Sequence, residues 1–304
     1  MQASVVSDSD GALHLYRFVQ QLPGTRTNAA FAADLGIDIG LFPLFPAHTN
    51  NVMGLLLSGS HLSGKPVVVK VLYAENAVVV PDIKPAEVQV CEQLALAPWD
   101  AAEHEHFLVR ATAVCMNVDP ADTHAFLPHG NCWGIVMPRY TATLGELGQL
   151  SLDAVAVGCT RMCTALDFIH SRGLVHADVK SANVLVTSTG AWLLSDFGSC
   201  VKVETPLKST TELFHATVRL GTRNAAGEAV EVPATTKFDW QLMFCMLLME
   251  AFKVGWRMRL VPPGWDRVSG DAMHGAYNQL LSRADATEEL RSLARELNAR
   301  AYTF

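Results

Sequence analysis

Residues 174–186 read Leu174-Val175-His176-Ala177-Asp178-Val179-Lys180-Ser181-Ala182-Asn183-Val184-Leu185-Val186. Four chemistry-bearing side chains, His176, Asp178, Lys180 and Asn183, stand in the spacing H-x-D-x-K-x-x-N, and the apolar run after them reads as a short strand. If each of those residue types occurs at roughly 5%, the pattern arises by chance in fewer than about one in 100 chains of this length. A second motif, Asp196-Phe197-Gly198, begins thirteen residues after Asn183 and makes coincidence remote.

Outward from this core, periodicity changes along the chain. On the N-terminal side, Val52–Ser58 and Pro66–Tyr73 read as two strands joined by a turn at Gly59–Gly64. A helix is expected over Pro85–Leu96, with Pro85 in its first turn and Val88, Cys91 and Leu94/Ala95 on one face. Two further strands, Leu108–Asn117 and Cys132–Met137, flank a polar loop containing Pro120, Pro128 and Gly130. Helices then dominate, at Leu152–Ser171, Lys237–Phe252 and Ala286–Arg300. Strands early and helices late define an α+β chain with a β-rich first lobe and an α-rich second.

Composition narrows the classes of function. The chain has 304 residues, 50% hydrophobic and 17% charged, which is too apolar for disorder and sufficient for a sizeable core. Its formal charge of −7 gives no general attraction for nucleic acid or anionic lipid. The longest strongly apolar run, Leu242–Met249, is far short of the roughly 20 residues that span a bilayer, and the polar start reads as no signal peptide. Seven cysteines without a C-x-x-C pair point to reduced, buried thiols in an intracellular compartment, cytoplasmic or nuclear.

On H-x-D-x-K-x-x-N and D-F-G the chain resembles eukaryotic-type protein kinases over roughly residues 45–300. The resemblance implies a bilobal protein-kinase-like fold: residues 1–40 as an N-terminal extension of unknown role, 41–140 as the N-lobe and hinge, and 141–304 as the C-lobe. It implies ATP-dependent phosphoryl transfer to Ser or Thr of a protein substrate. Asp178 would accept the hydroxyl proton, Lys180 would offset charge on the transferring group, and Asn183 and Asp196 would hold Mg²⁺. Lys70, in Val67-Val68-Val69-Lys70, resembles the strand lysine that holds the α- and β-phosphates, with Glu87 as its helix partner and Glu92 as the fallback. Ile135–Tyr140 resembles the fifth strand and the hinge that meets adenine, with Met137 as gatekeeper and Tyr140 on the connector. Gly221-Thr222 and Glu228 resemble the end of an activation segment, and Asp239 the helix acid that braces the catalytic loop.

The chain departs from the family pattern at several places. Phe42–Asn51, where a G-x-G-x-x-G turn belongs, has no glycine. Ala177 replaces the arginine of H-R-D that pairs with a phosphorylated loop residue, so phosphorylation of that loop is not expected to be required, although Thr210, Thr211 and Thr217 lie in the right region. Ala226-Gly227-Glu228 replaces A-P-E. These departures keep two alternatives open: a pseudokinase that binds nucleotide or acts as a scaffold, and a small-molecule phosphotransferase of the same fold. Gly59–Lys65 mimics a P-loop, but Pro66 stands where Ser or Thr must hold Mg²⁺, and a strand follows it. His104, His106, His124 and His129 lack a metal spacing and read as loop residues.

Overall fold

The computed structural model describes residues 4–7, 13–21, 28–33, 52–61, 66–74, 85–94, 105–109, 111, 113–116, 133–138, 140, 142–207, 210, 230–253 and 270–302. The glycine-free stretch 42–51, Arg139, Thr211, Thr217, Gly221, Thr222 and Glu228 lie outside the described residues, as do His104, His124 and His129. The chain divides into two compact units, residues 1–103 with 109–139, and residues 104–108 with 140–304. One is β-rich and the other largely helical, as the α+β reading expects.

In the first unit seven strands close into a barrel. They are β1 (Ser4–Ser7), β2 (Leu13–Gln21), β3 (Asn28–Ala33), β4 (Val52–His61), β5 (Pro66–Ala74), β6 (Ala113–Met116) and β7 (Trp133–Pro138), in the order β1-β2-β3-β4-β5-β7-β6. Three of them come from residues 1–40 and pair in the same barrel as β4 and β5. β3 and β4 run parallel, and β1 closes on β6 through Ser7 opposite Met116. The β-branched run Val67–Val69 suits the pleated surface of β5. That strand pairs antiparallel with both β4 and β7, and Lys70 stands opposite Leu56 on one side and Ile135 on the other. Because side chains alternate across a strand, Lys70 shares a face with Ile135, which is 1% exposed. Helix α1 (Ala86–Gln93) belongs to this unit; Pro85 precedes it with φ −54°, already set for a helical entry, and Val88, Cys91 and Leu94 are buried.

The second unit is organised around two helices. α2 (Leu152–Ser171) begins at Ser151, whose side chain accepts a hydrogen bond from Ala154 N at 3.2 Å. Leu152, Val155, Cys159, Met162, Cys163, Leu166 and Ile169 form its buried stripe at helical spacing. Gly158 lies where a Cβ would stand 2.3 Å from the Trp192 ring, so only glycine lets α2 approach the strand that carries that indole. α3 (Thr236–Phe252) is buried on nearly all sides from Phe238 to Ala251, which marks it as the centre of this core. Two further helices pack on it, α4 (Gly270–Ser282) and α5 (Glu288–Tyr302); Tyr277 and Tyr302 each meet the Phe244 ring edge to face. Small strands complete the unit: β8 (Ala142–Thr143), β10 (Val184–Val186) and β11 (Trp192–Leu194) form one sheet, and β9 (Leu174–Val175) pairs with β12 (Val201–Lys202). Among the described residues no helix is long and apolar enough to cross a membrane.

Candidate active site

The motif 174–186 folds as strand, loop, turn and strand. β9 ends at Val175, the loop runs through Asp178, and a 3-10 turn at Ser181–Asn183 hands the chain to β10. The loop is anchored from α3 by Asp239, which is fully buried. Its Oδ2 accepts hydrogen bonds from His176 N at 2.7 Å and from His170 Nε2 at 2.9 Å, and its Oδ1 accepts from Ala177 N at 2.8 Å. Hydrogen bonds to a charged acceptor contribute about 1.5–3 kcal/mol each. They hold Ala177 at φ +64°, a left-handed conformation that costs a non-glycine residue roughly 1–2 kcal/mol.

Within this frame three of the expected site residues meet. Lys180 Nζ donates to Asp178 Oδ2 at 2.7 Å, and Asn183 Nδ2 donates to the same oxygen at 3.0 Å and to the Asp178 main-chain carbonyl at 2.9 Å. Asn183 therefore turns its amide nitrogen to Asp178 and its carbonyl oxygen away from it. His176 is a structural hub: its Nδ1 accepts from Asp178 N at 3.3 Å, so its Nε2 is set to donate to Ser195 O at 3.0 Å.

That last bond ties in the second motif. β10 and β11 form a hairpin closed at Thr187–Gly190, with Gly190 at φ +78°, and Val184 stands opposite Leu194. The thirteen-residue spacing between Asn183 and Asp196 is the contour of this hairpin. Ser195 donates from both N and Oγ to Asn183 O, at 2.8 and 2.7 Å. Asp196 follows at φ +62°, a strained position that aspartate tolerates better than most residues, and its Oδ1 accepts from Gly198 N at 3.4 Å. Phe197 is buried against the edge of the His176 ring.

In the β-rich unit, Lys70 Nζ meets Glu87 Oε1 at 2.7 Å, with the two side chains 7% and 10% exposed. Such a buried pair contributes little net stability but is expensive to break, because either partner alone is an uncompensated charge. Met137 lies on β7 opposite Val68, half-buried; Tyr140, which belongs to the helical unit, is also half-buried. The motif reading assigns nothing to Ser181 or Glu250, yet Ser181 Oγ donates to Glu250 Oε1 at 2.7 Å. The signal available in sequence was a lone carboxylate inside the apolar run of α3. Among the described residues, Cys91, Cys159, Cys163, Cys200 and Cys245 are buried. Burial pushes the Cys163 and Cys245 thiols up to about 12, which keeps them protonated and unreactive.

Comparison with known proteins follows the same residues. The family model for the protein kinase domain matches residues 62–251, a span that includes Lys70, Glu87, the loop around Asp178, and Asp196. Serine/threonine-protein kinase STE20 of Eremothecium gossypii is 49% identical over 91 residues, 29% of this chain and 9% of that one. Serine/threonine-protein kinase PAK 5 of Rattus norvegicus is 38% identical over 55 residues, 18% of this chain and 8% of that one. The chain thus matches less than a tenth of the length of either of these curated relatives. The kinase PK-1 of Cydia pomonella granulovirus has a similar fold, with a TM-score of 0.53 at 14% identity over 93% of this chain and 87% of that one. With a family match over residues 62–251 of 304, the chain belongs to the protein kinase domain family.

Proposed function

We propose that this chain transfers the γ-phosphoryl group of ATP to a serine or threonine hydroxyl of a protein substrate. The observation that carries the reading is the Asp178 carboxylate held by Lys180 and Asn183 on one oxygen, in a loop anchored by a buried acid. The donor set suits Mg²⁺: the Asn183 amide oxygen and the Asp196 carboxylate are hard oxygen ligands. When bound, Mg²⁺-ATP supplies the transferable phosphoryl group and neutralises its charge.

The protein's own residues then have distinct tasks. Asp178 receives the proton of the attacking hydroxyl as the new P–O bond forms and the bond to the ADP leaving group breaks. Lys180 sits 2.7 Å from that carboxylate and brings a cation to the place where negative charge develops. Asn183 is held by its nitrogen, which leaves its oxygen to hold Mg²⁺ when the ion is bound. In this reading Glu87, 2.7 Å from the Lys70 ammonium, orients it for a phosphate contact. Met137 and Tyr140 are the adenine-side residues of this reading.

The test is label transfer from γ-labelled ATP with Mg²⁺, given a mixed protein substrate or a panel of small hydroxyl compounds, for wild type and Lys70→Met. Label on protein serine and threonine, lost in Lys70→Met, is the expected result. Label confined to small compounds, or no transfer by folded protein, overturns it in favour of a small-molecule phosphotransferase or a pseudokinase respectively.

A further inference from the structure

Glu250 is 3% exposed near the end of a helix whose preceding residues, Leu242 to Met249, are all apolar and buried. An ionised carboxylate in such surroundings costs several kcal/mol unless its oxygens are matched. Both are. Oε1 accepts from Ser181 Oγ at 2.7 Å, and Oε2 accepts from Lys253 Nζ at 3.1 Å. Lys253 Nζ also donates to Leu144 O at 2.9 Å, in the turn Leu144–Glu146 that follows β8. One buried acid thus ties together the end of α3, the turn after β8 and the residue next to Lys180.

The spacing explains how one helix does this. Asp239 and Glu250 are eleven residues apart. At 3.6 residues per turn that is about three full turns, so both carboxylates project from the same face, roughly 16 Å apart along the axis. Asp239 takes the entry of the loop at His176 and Ala177; Glu250 takes its exit at Ser181. Ser181 opens the 3-10 turn that ends at Asn183, whose backbone N donates to Lys180 O at 2.9 Å. Lys180 and Asn183, the two partners of the Asp178 carboxylate, therefore sit on a turn whose first residue is fixed by Glu250.

We propose that Glu250, acting through Ser181, is a positioning residue for Lys180 and Asn183 in phosphoryl transfer; this rests on the kinase reading above. Small displacements of groups around a reacting centre have large rate effects, whereas ground-state binding of ATP or peptide by other residues is unaffected. The test compares Ser181→Ala, Glu250→Met, their double variant and Ser181→Thr, measured as kcat and KM per folded molecule. Each single change is expected to lower kcat about tenfold with both KM values within about twofold. The double variant falls no further than the lower single, because both remove one link, and Ser181→Thr, which keeps the hydroxyl, recovers most of kcat. Unchanged kcat with a lowered melting temperature, or independent losses that multiply in the double variant, overturns the proposal.

Amide hydrogen exchange over residues 179–184 separates this inference from the kinase reading. If wild type transfers no phosphate, the kinase reading fails by itself. Equal acceleration of exchange across 179–184 in both single variants and the double then still supports the Glu250 link, and unchanged exchange removes it.

Discussion

At one end of α3 the Asp239 carboxylate takes its hydrogen bonds from two main-chain amides and the His170 ring; at the other end Glu250 takes its own from a hydroxyl and an ammonium. Both acids are buried in the same apolar helix and both face the loop around Asp178. The difference lies in what each requires of its partners. Every non-proline residue carries an N–H, so Asp239 holds the loop whatever side chains occupy positions 176 and 177. That is how Ala177 stands where the family pattern has arginine without loosening the loop entry. Glu250 works only with a donor at 181 and a cation at 253, and its effect depends on those side chains.

The sharpest way to break this comparison is at its stronger end. Asp239→Ala leaves two buried amides unsatisfied and removes the partner of His170, and should destabilise the fold by about 3–5 kcal/mol, read from the denaturant midpoint at constant slope. A loss under about 1 kcal/mol would mean that other contacts anchor the loop.

Between the two acids lies Cys245, and its titration sharpens the picture of how apolar the helix surroundings are. Burial raises its pKa from 9.0 to about 12, so the folded state prefers the protonated thiol. The resulting stabilisation is fully present below pH 9.0 and is lost as pH rises through about 12. From this thiol alone about 1 kcal/mol should disappear between pH 9 and 10. Unfolding free energies over that interval should fall less steeply for Cys245→Ala than for wild type; equal slopes would contradict a dry environment there.

The smallest effect is at Ala177. Replacing it with glycine relieves the left-handed strain and should stabilise the fold by about 0.5–1 kcal/mol, seen as a rise in melting temperature. A fall would show that the Cβ makes contacts worth more than the strain.

What the sequence made legible was what is local. His176, Asp178, Lys180 and Asn183 lie on one loop and turn, and Asp196 is one hairpin away, so their spacing reports their geometry directly. α2 runs from Leu152 to Ser171 as its apolar period and the Ser151 cap require. Glu87 stands at Lys70, although seventeen residues separate them, because a short helix after the strand places a carboxylate within reach. The legible part ends where pairing is long-range or made by backbone alone. Ser181 and Glu250 are 69 residues apart, and no motif joins them. β1, β2 and β3 join the barrel through main-chain bonds that leave no residue signature. α4 escapes the periodic reading because only Met273 and Leu280 are buried along it, with Gly275 in its middle.

The most direct measurement is the turnover of Mg²⁺-ATP-dependent protein phosphorylation by Asp178→Asn beside wild type, with both proteins matched for melting temperature. Asparagine keeps the size of the side chain and removes its capacity to take a proton. If Asp178 is the proton acceptor around which Lys180, Asn183, Asp239 and Glu250 are arranged, kcat should fall by at least about 10²–10³ with the fold intact. Turnover within about threefold of wild type would contradict that role and with it the reading of this loop as the catalytic centre.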